Sequence, residues 1–112
     1  MSKNGSNGQS GTATATVNEE STVALMQDRL QMLHPQRVDI YDESGEHIGH
    51  AGARGGGGHY RLLIVSDDFG GKTALTRHRM VYRVLADLMQ RRIHALAITA
   101  YTAEEFEQAF HA

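Results

Sequence analysis

Large apolar side chains are nearly absent from the first 21 residues, MSKNGSNGQSGTATATVNEES, and then recur at regular intervals. Val23, Met26, Leu30 and Leu33 fall three or four apart, the spacing of one helix face, with Ser21 or Thr22 as cap and Pro35 as stop. Val38, Ile40 and Asp42 alternate with Asp39 and Tyr41, which predicts a short strand. After a long glycine- and histidine-bearing stretch, YRLLIVS at 60–66 is apolar at both parities, as in a central strand. DDFGGK then makes a turn. From Ala74 to Gln90 the pairs Met80/Val81, Val84/Leu85 and Leu88/Met89 repeat every four residues and predict one long helix. IHALAITAY, 93–101, returns to strand, and TAEEFEQAF closes the chain as a helix capped by Thr102 with glutamates in its first turn.

The order is α-β-β-α-β-α, which predicts a single α/β domain with a three-stranded mixed sheet and helices on one face. The second strand, the long helix and the third strand form a β-α-β unit, so these strands run parallel and start at the same end of the sheet. His59 precedes the second strand and His94 opens the third. Adjacent strands lie about 4.8 Å apart, which brings both imidazoles within reach of one metal centre. If the first two strands pair as a hairpin, the loop with His47 and His50 lands at that end too. Its run of four glycines, Gly55 to Gly58, predicts a mobile loop that presents histidines to an incoming ligand.

Composition narrows what such a cluster can be. Residues 1–21 cannot bury enough apolar surface to order themselves and read as a disordered tail, leaving 22–112 as the domain. No apolar stretch follows Lys3 as in a signal peptide, and none approaches the roughly 18 residues of a membrane span, so a soluble, cytoplasmic protein is expected. There are no cysteines, so neither a disulfide nor a thiolate comes from this chain, and sulfur at any soft-metal site must come from another molecule. The net charge of −2 lacks the footprint of a dedicated nucleic-acid binder. Yet Thr76 to Arg92 holds five arginines against one acid, Asp87. Within that stretch Arg77, Arg79 and Arg83 are candidates for partner or nucleic-acid binding, against the plainer reading of a solvated helix face.

Other motifs carry less. SDDFGGKT ends like a phosphate-binding loop, but Ser66 stands where the first glycine belongs, and Asp67 and Asp68 would repel phosphate. No Ser-His-Asp set or carboxylate pair stands out. A hydrolytic zinc site is disfavoured because its ligands would sit in or beside a flexible loop, so an enzyme is not expected. His34 and His111 read as surface residues, and His78 as one that packs or caps at a helix start.

RHRMVYRVLADLMQRRIHALAITAYTAEEF, 77–106, preceded by VSDDFGGK and by DESGEHIGHAGARGGGGHY, resembles the BolA-like family over essentially residues 23–110. The resemblance implies a fold like that of type II KH domains, although their Gly-x-x-Gly loop is missing here. It also implies a partnership with a monothiol glutaredoxin through a shared [2Fe-2S] cluster, in cluster delivery or iron and redox regulation. Glutaredoxin cysteine and glutathione would supply the thiolates. His94, in the family's HAL motif, and one loop histidine would supply the rest, with His59 first and His47 and His50 as competitors. Some family members resemble transcriptional regulators of stress and morphology genes, which makes DNA an alternative partner. A homodimer is possible in the cluster-free form.

Overall fold

The computed structural model describes residues 21–47 and 57–110. Most of the expected tail, His50 and His111 lie outside them. Helix α1, Thr22–Leu30, starts where the Ser21 hydroxyl accepts the Ala24 N–H at 3.0 Å, and it runs into a single 3-10 turn, Gln31–Leu33. His34 ends that turn in the left-handed region, φ 52°, and Pro35 follows. Strand β1, Arg37–Asp42, pairs antiparallel with β2, Gly58–Val65. Helix α2, Ala74–Val84, and a short α3, Ala86–Arg91, carry the chain over to β3, Ile93–Tyr101. Helix α4, Ala103–Phe110, ends the described chain. The sheet order is β1-β2-β3, with β2 and β3 parallel, as the crossover argument predicts.

The long helix expected over Ala74–Gln90 is instead two helices broken at Leu85, where φ −102° and ψ 9° leave the helical region. Neither Pro nor Gly marks the break. Val81, Leu85 and Leu88 are all buried, so the apolar stripe runs straight through it and periodicity carries no trace.

One sheet face buries Tyr60, Leu62 and Ile64 of β2 against Met26, Leu30, Phe69, Val81, Leu85 and Leu88. Each fully buried side chain of this kind contributes about 1.5–3 kcal/mol by leaving water. Ser66 is the one buried polar residue among those described. Its hydroxyl donates to the Leu33 carbonyl at 2.5 Å and accepts the Asp68 N–H at 3.1 Å, so it is satisfied and ties the end of β2 to the end of α1. The opposite face is open, except near the ends of β2 and β3. There Phe106 and Phe110 of α4 meet Tyr101, and the Arg37 guanidinium lies 5.2 Å over the Phe106 ring.

Helix α4 is held by a capping box: the Thr102 hydroxyl accepts the Glu105 N–H at 3.2 Å, and the Glu105 carboxylate accepts the Thr102 N–H at 2.9 Å. The same carboxylate receives both terminal nitrogens of Arg77 at 2.6 and 3.0 Å. The Arg77 guanidinium and the Thr102 N–H together hold the Glu105 carboxyl at about 2, well below its ordinary 4.5. Because the folded value is depressed, the stabilisation is present above pH 4.5 and fades as pH falls toward 2. Glu105 is partly open to solvent, so Glu105→Gln should lose about 1 kcal/mol at pH 7, near the upper end for exposed pairs. Urea denaturation across pH should show that deficit shrinking below pH 4.5. A deficit independent of pH would mean that the ion pair contributes nothing.

Candidate metal centre

Parallel pairing starts β2 and β3 side by side, and a local irregularity then decides what faces out. Gly58 pairs with Ile93 but His59 pairs with Ala95, so His94 is an extra residue in β3. A bulge of this kind turns successive side chains to one side. Burial follows: Ile93 is buried, His94 and Ala95 are both exposed, and regular alternation resumes at Leu96. Without the bulge, His94 would follow strict alternation and face away from Ala95. With it, the His59 and His94 rings stack, their centroids 5.2 Å apart and their planes 19° from parallel.

The glycine run does not leave His59 on a mobile segment, as the sequence reading expects. His59 lies inside β2, and its backbone is bound on both sides. Its N–H donates to the Ser44 hydroxyl at 3.0 Å and its carbonyl accepts the Glu43 N–H at 2.8 Å, while the Gly58 N–H donates to the Arg92 carbonyl at 2.9 Å. Gly57 sits at φ +110°, and a Cβ there would come within 3.0 Å of the His94 backbone nitrogen. At Gly58 a Cβ would collide with the Ser44 hydroxyl. Gly57 therefore serves the close approach of β2 to β3, and Gly58 leaves room for the Ser44 hydroxyl that holds His59.

The DES motif is the second part of this support. The Asp42 carboxylate accepts the Ser44 N–H at 2.9 Å, which orients the hydroxyl that holds His59. Glu43 pairs with Arg61 at 2.9 Å. These residues went unassigned in the sequence, although an Asp followed two residues later by a backbone N–H is a common turn pattern.

The remaining candidates divide. His47 ends the 3-10 turn Ser44–His47, just after the residue that anchors His59. His50 lies outside the described residues. His34 and Asp68 approach to 2.8 Å at the other end of the sheet, and His78 is half-buried on α2. Arg77 is 11% exposed, and it donates to Lys72, Ala100 and Glu105, so its guanidinium is committed inside the fold. Arg79 and Arg83 are exposed.

Among the described residues no group of three or more metal-ligating side chains converges. Two imidazoles can occupy two positions of a four-coordinate metal, so any metal here is completed from another molecule. With no cysteine in the chain, the donor set is purely nitrogen. That fits a soft cluster whose sulfur arrives with a partner.

A family model for BolA-like proteins matches residues 30–105. The chain belongs to the BolA-like family. Solved structures agree: this BolA-like chain superposes on BolA1 from Arabidopsis thaliana with a TM-score of 0.67 and 37% identity, covering 77% of this chain and 96% of that one. It is 40% identical over 73 residues to the DNA-binding transcriptional regulator BolA of Escherichia coli, covering 65% of this chain and 67% of that protein. It is also 42% identical over 78 residues to an Arabidopsis protein named SufE-like protein 1, chloroplastic/mitochondrial. That match covers 65% of this BolA-like chain and only 21% of its relative.

The anchoring of His59 can be tested directly. Gly57→Ala forces a side chain into a left-handed position against the start of β3, and should cost about 1–2 kcal/mol while moving the two rings apart. Thermal melting together with the ring-proton NMR shifts of His59 and His94 reads both effects. Unperturbed shifts would mean that the close approach at Gly57 does not set the ring geometry.

Proposed function

We propose that this BolA-like protein is the histidine-donating, non-enzymatic partner in a shared [2Fe-2S] cluster, held jointly with a monothiol glutaredoxin and glutathione for delivery or for iron and redox regulation. The observation that carries the reading is the stacked pair of half-buried His59 and exposed His94 in a chain without cysteine. His94 supplies the strand ligand and His59 the second, with His47 and His50 in reserve. Iron bound through imidazole rather than thiolate has a higher reduction potential. Each imidazole must bind through an unprotonated nitrogen, so protons compete with the metal and the cluster loosens as pH falls. Such a cluster suits transfer better than storage. Among the described residues no helix is long and apolar enough to cross a membrane, and the exchange is proposed for the cytoplasm.

Anaerobic mixing with a monothiol glutaredoxin and glutathione should give a mixed complex with its own visible absorption and circular dichroism. Replacing His59 and His94 together by Ala should abolish those bands and leave only the spectrum of the glutaredoxin alone. An unchanged spectrum of the mixed complex would overturn the ligand assignment.

A second reading, duplex DNA binding, is favoured by the name of the Escherichia coli relative and by the exposed Arg79 and Arg83. Binding through these residues should weaken with rising salt and lose slope in Arg79→Ala and Arg83→Ala. Arg77 is unsuitable for that test, because its loss would release Glu105 and α4.

A further inference from the structure

The two edges of this small sheet are built in opposite ways. Edge strand β1 carries Arg37, Asp39 and Asp42 among its six residues, with Arg37 and Asp39 paired at 2.7 Å. Charges of this kind discourage another strand from pairing. Edge strand β3 is nine residues long and has no Asp, Glu, Lys, Arg, Pro or Gly in it.

The direction of its backbone groups can be worked out. The Tyr101 carbonyl accepts the Ser66 N–H, so residues of that parity face β2, and Leu96, Ile98 and Ala100 direct their N–H and C=O groups to the outer edge. The Ala100 carbonyl is independently found there, since Arg77 donates to it at 3.1 Å. Among the described residues no strand pairs with that edge. Ala95, Ala97 and Thr99, the side chains beside it on the open face, are small and exposed.

We infer that β3 is a self-association edge, pairing antiparallel with β3 of a second copy about a two-fold axis at Ala97. A two-fold axis brings each residue near its own copy or a close neighbour, so any charge on the strand would meet a like charge. β3 is the edge of this sheet that avoids this. Centring on Ala97 matches Leu96 of one copy with Ile98 of the other, twice. Each is a hydrogen-bonded pair that exchanges both backbone bonds. The Arg77 contact at Ala100 limits how far the ladder extends and favours this register over ones displaced toward Tyr101. Ala97 then faces Ala97 of the second copy as a non-hydrogen-bonded pair, with Cα atoms about 4.5 Å apart. The two sheets join with their open faces on the same side; His59 lies on the inner strand, and His94 falls opposite Ala100 of the second copy, beyond the pairs of Leu96 with Ile98.

The test uses the whole chain and sedimentation velocity over a concentration series. Wild type should show a monomer–dimer equilibrium. Ala97→Glu and Ala97→Lys, each at an exposed position, should each raise the dissociation constant about tenfold or more, because like charges then oppose across the axis. Mixing the two variants should restore a dimer through the opposite charges, a result that a folding defect cannot produce. Asp39→Lys on the other edge should leave association unchanged, and His59→Ala on the inner strand should too, which separates this inference from the cluster reading. A wild type that stays monomeric at all concentrations, or an Ala97→Glu/Ala97→Lys mixture no more associated than either variant alone, would overturn it.

Discussion

The parallel contact between β2 and β3, with its one-residue irregularity at His94, is the constraint on which the rest of the molecule turns. Parallel neighbours need a crossover, and α2 and α3 provide one that also roofs the core. The bulge costs a local break in the ladder, which is tolerated because the start of β2 is tied down elsewhere. Ser44 and Glu43 hold His59 from the β1 side, and Arg92 holds Gly58 from the β3 side. The candidate site is therefore a product of sheet geometry, with His59 and His94 both on strands. That arrangement suits a donor that must offer two nitrogens at a set separation to a metal assembled with another protein.

A second set of polar contacts closes the far end of the sheet. Arg77 reaches from α2 to the turn at Lys72, to the end of β3 and to the capping box of α4. Nearby, the Asp67 carboxylate accepts from the Ala103 N–H and from the Gln36 side chain, joining α4 and the segment after α1 to one turn. The acidic pair that made DDFGGK unfit for phosphate thus serves as internal hydrogen-bond acceptors. The basic residue that invited thoughts of a partner is bound to a glutamate within the chain.

Much of this was legible in the chain because local chemistry and global packing agree. The spacing of Val23, Met26, Leu30 and Leu33 gave α1, IHALAITAY matched β3 in full, and the crossover rule put His59 beside His94. What stayed hidden shares one physical cause: it depends on backbone placement in three dimensions rather than on side-chain pattern. The break at Leu85 lies under a continuous apolar stripe. The bulge leaves only a parity shift in IHALAITAY, with Ile93 and Leu96 three apart and Leu96 and Ile98 two apart, and that spacing does not say which residue is extra. Gly57 and Gly58 resemble a flexible tether when read as GGGG, because nothing in the sequence shows that the start of β3 crowds Gly57 or that the Ser44 hydroxyl fills the space at Gly58. The burial of Arg77 likewise depends on Glu105, a residue nearly thirty positions later.

Because the two rings come from strands on either side of a helical crossover, neither half of the polypeptide can present them together. A nascent chain whose third strand is still in the ribosome offers His59 without its stacked neighbour, and so does a molecule in which that strand has frayed. The paired nitrogens exist only once the third strand has been made and has docked beside the second, so a metal bound through both would report, through its presence alone, that the sheet had closed.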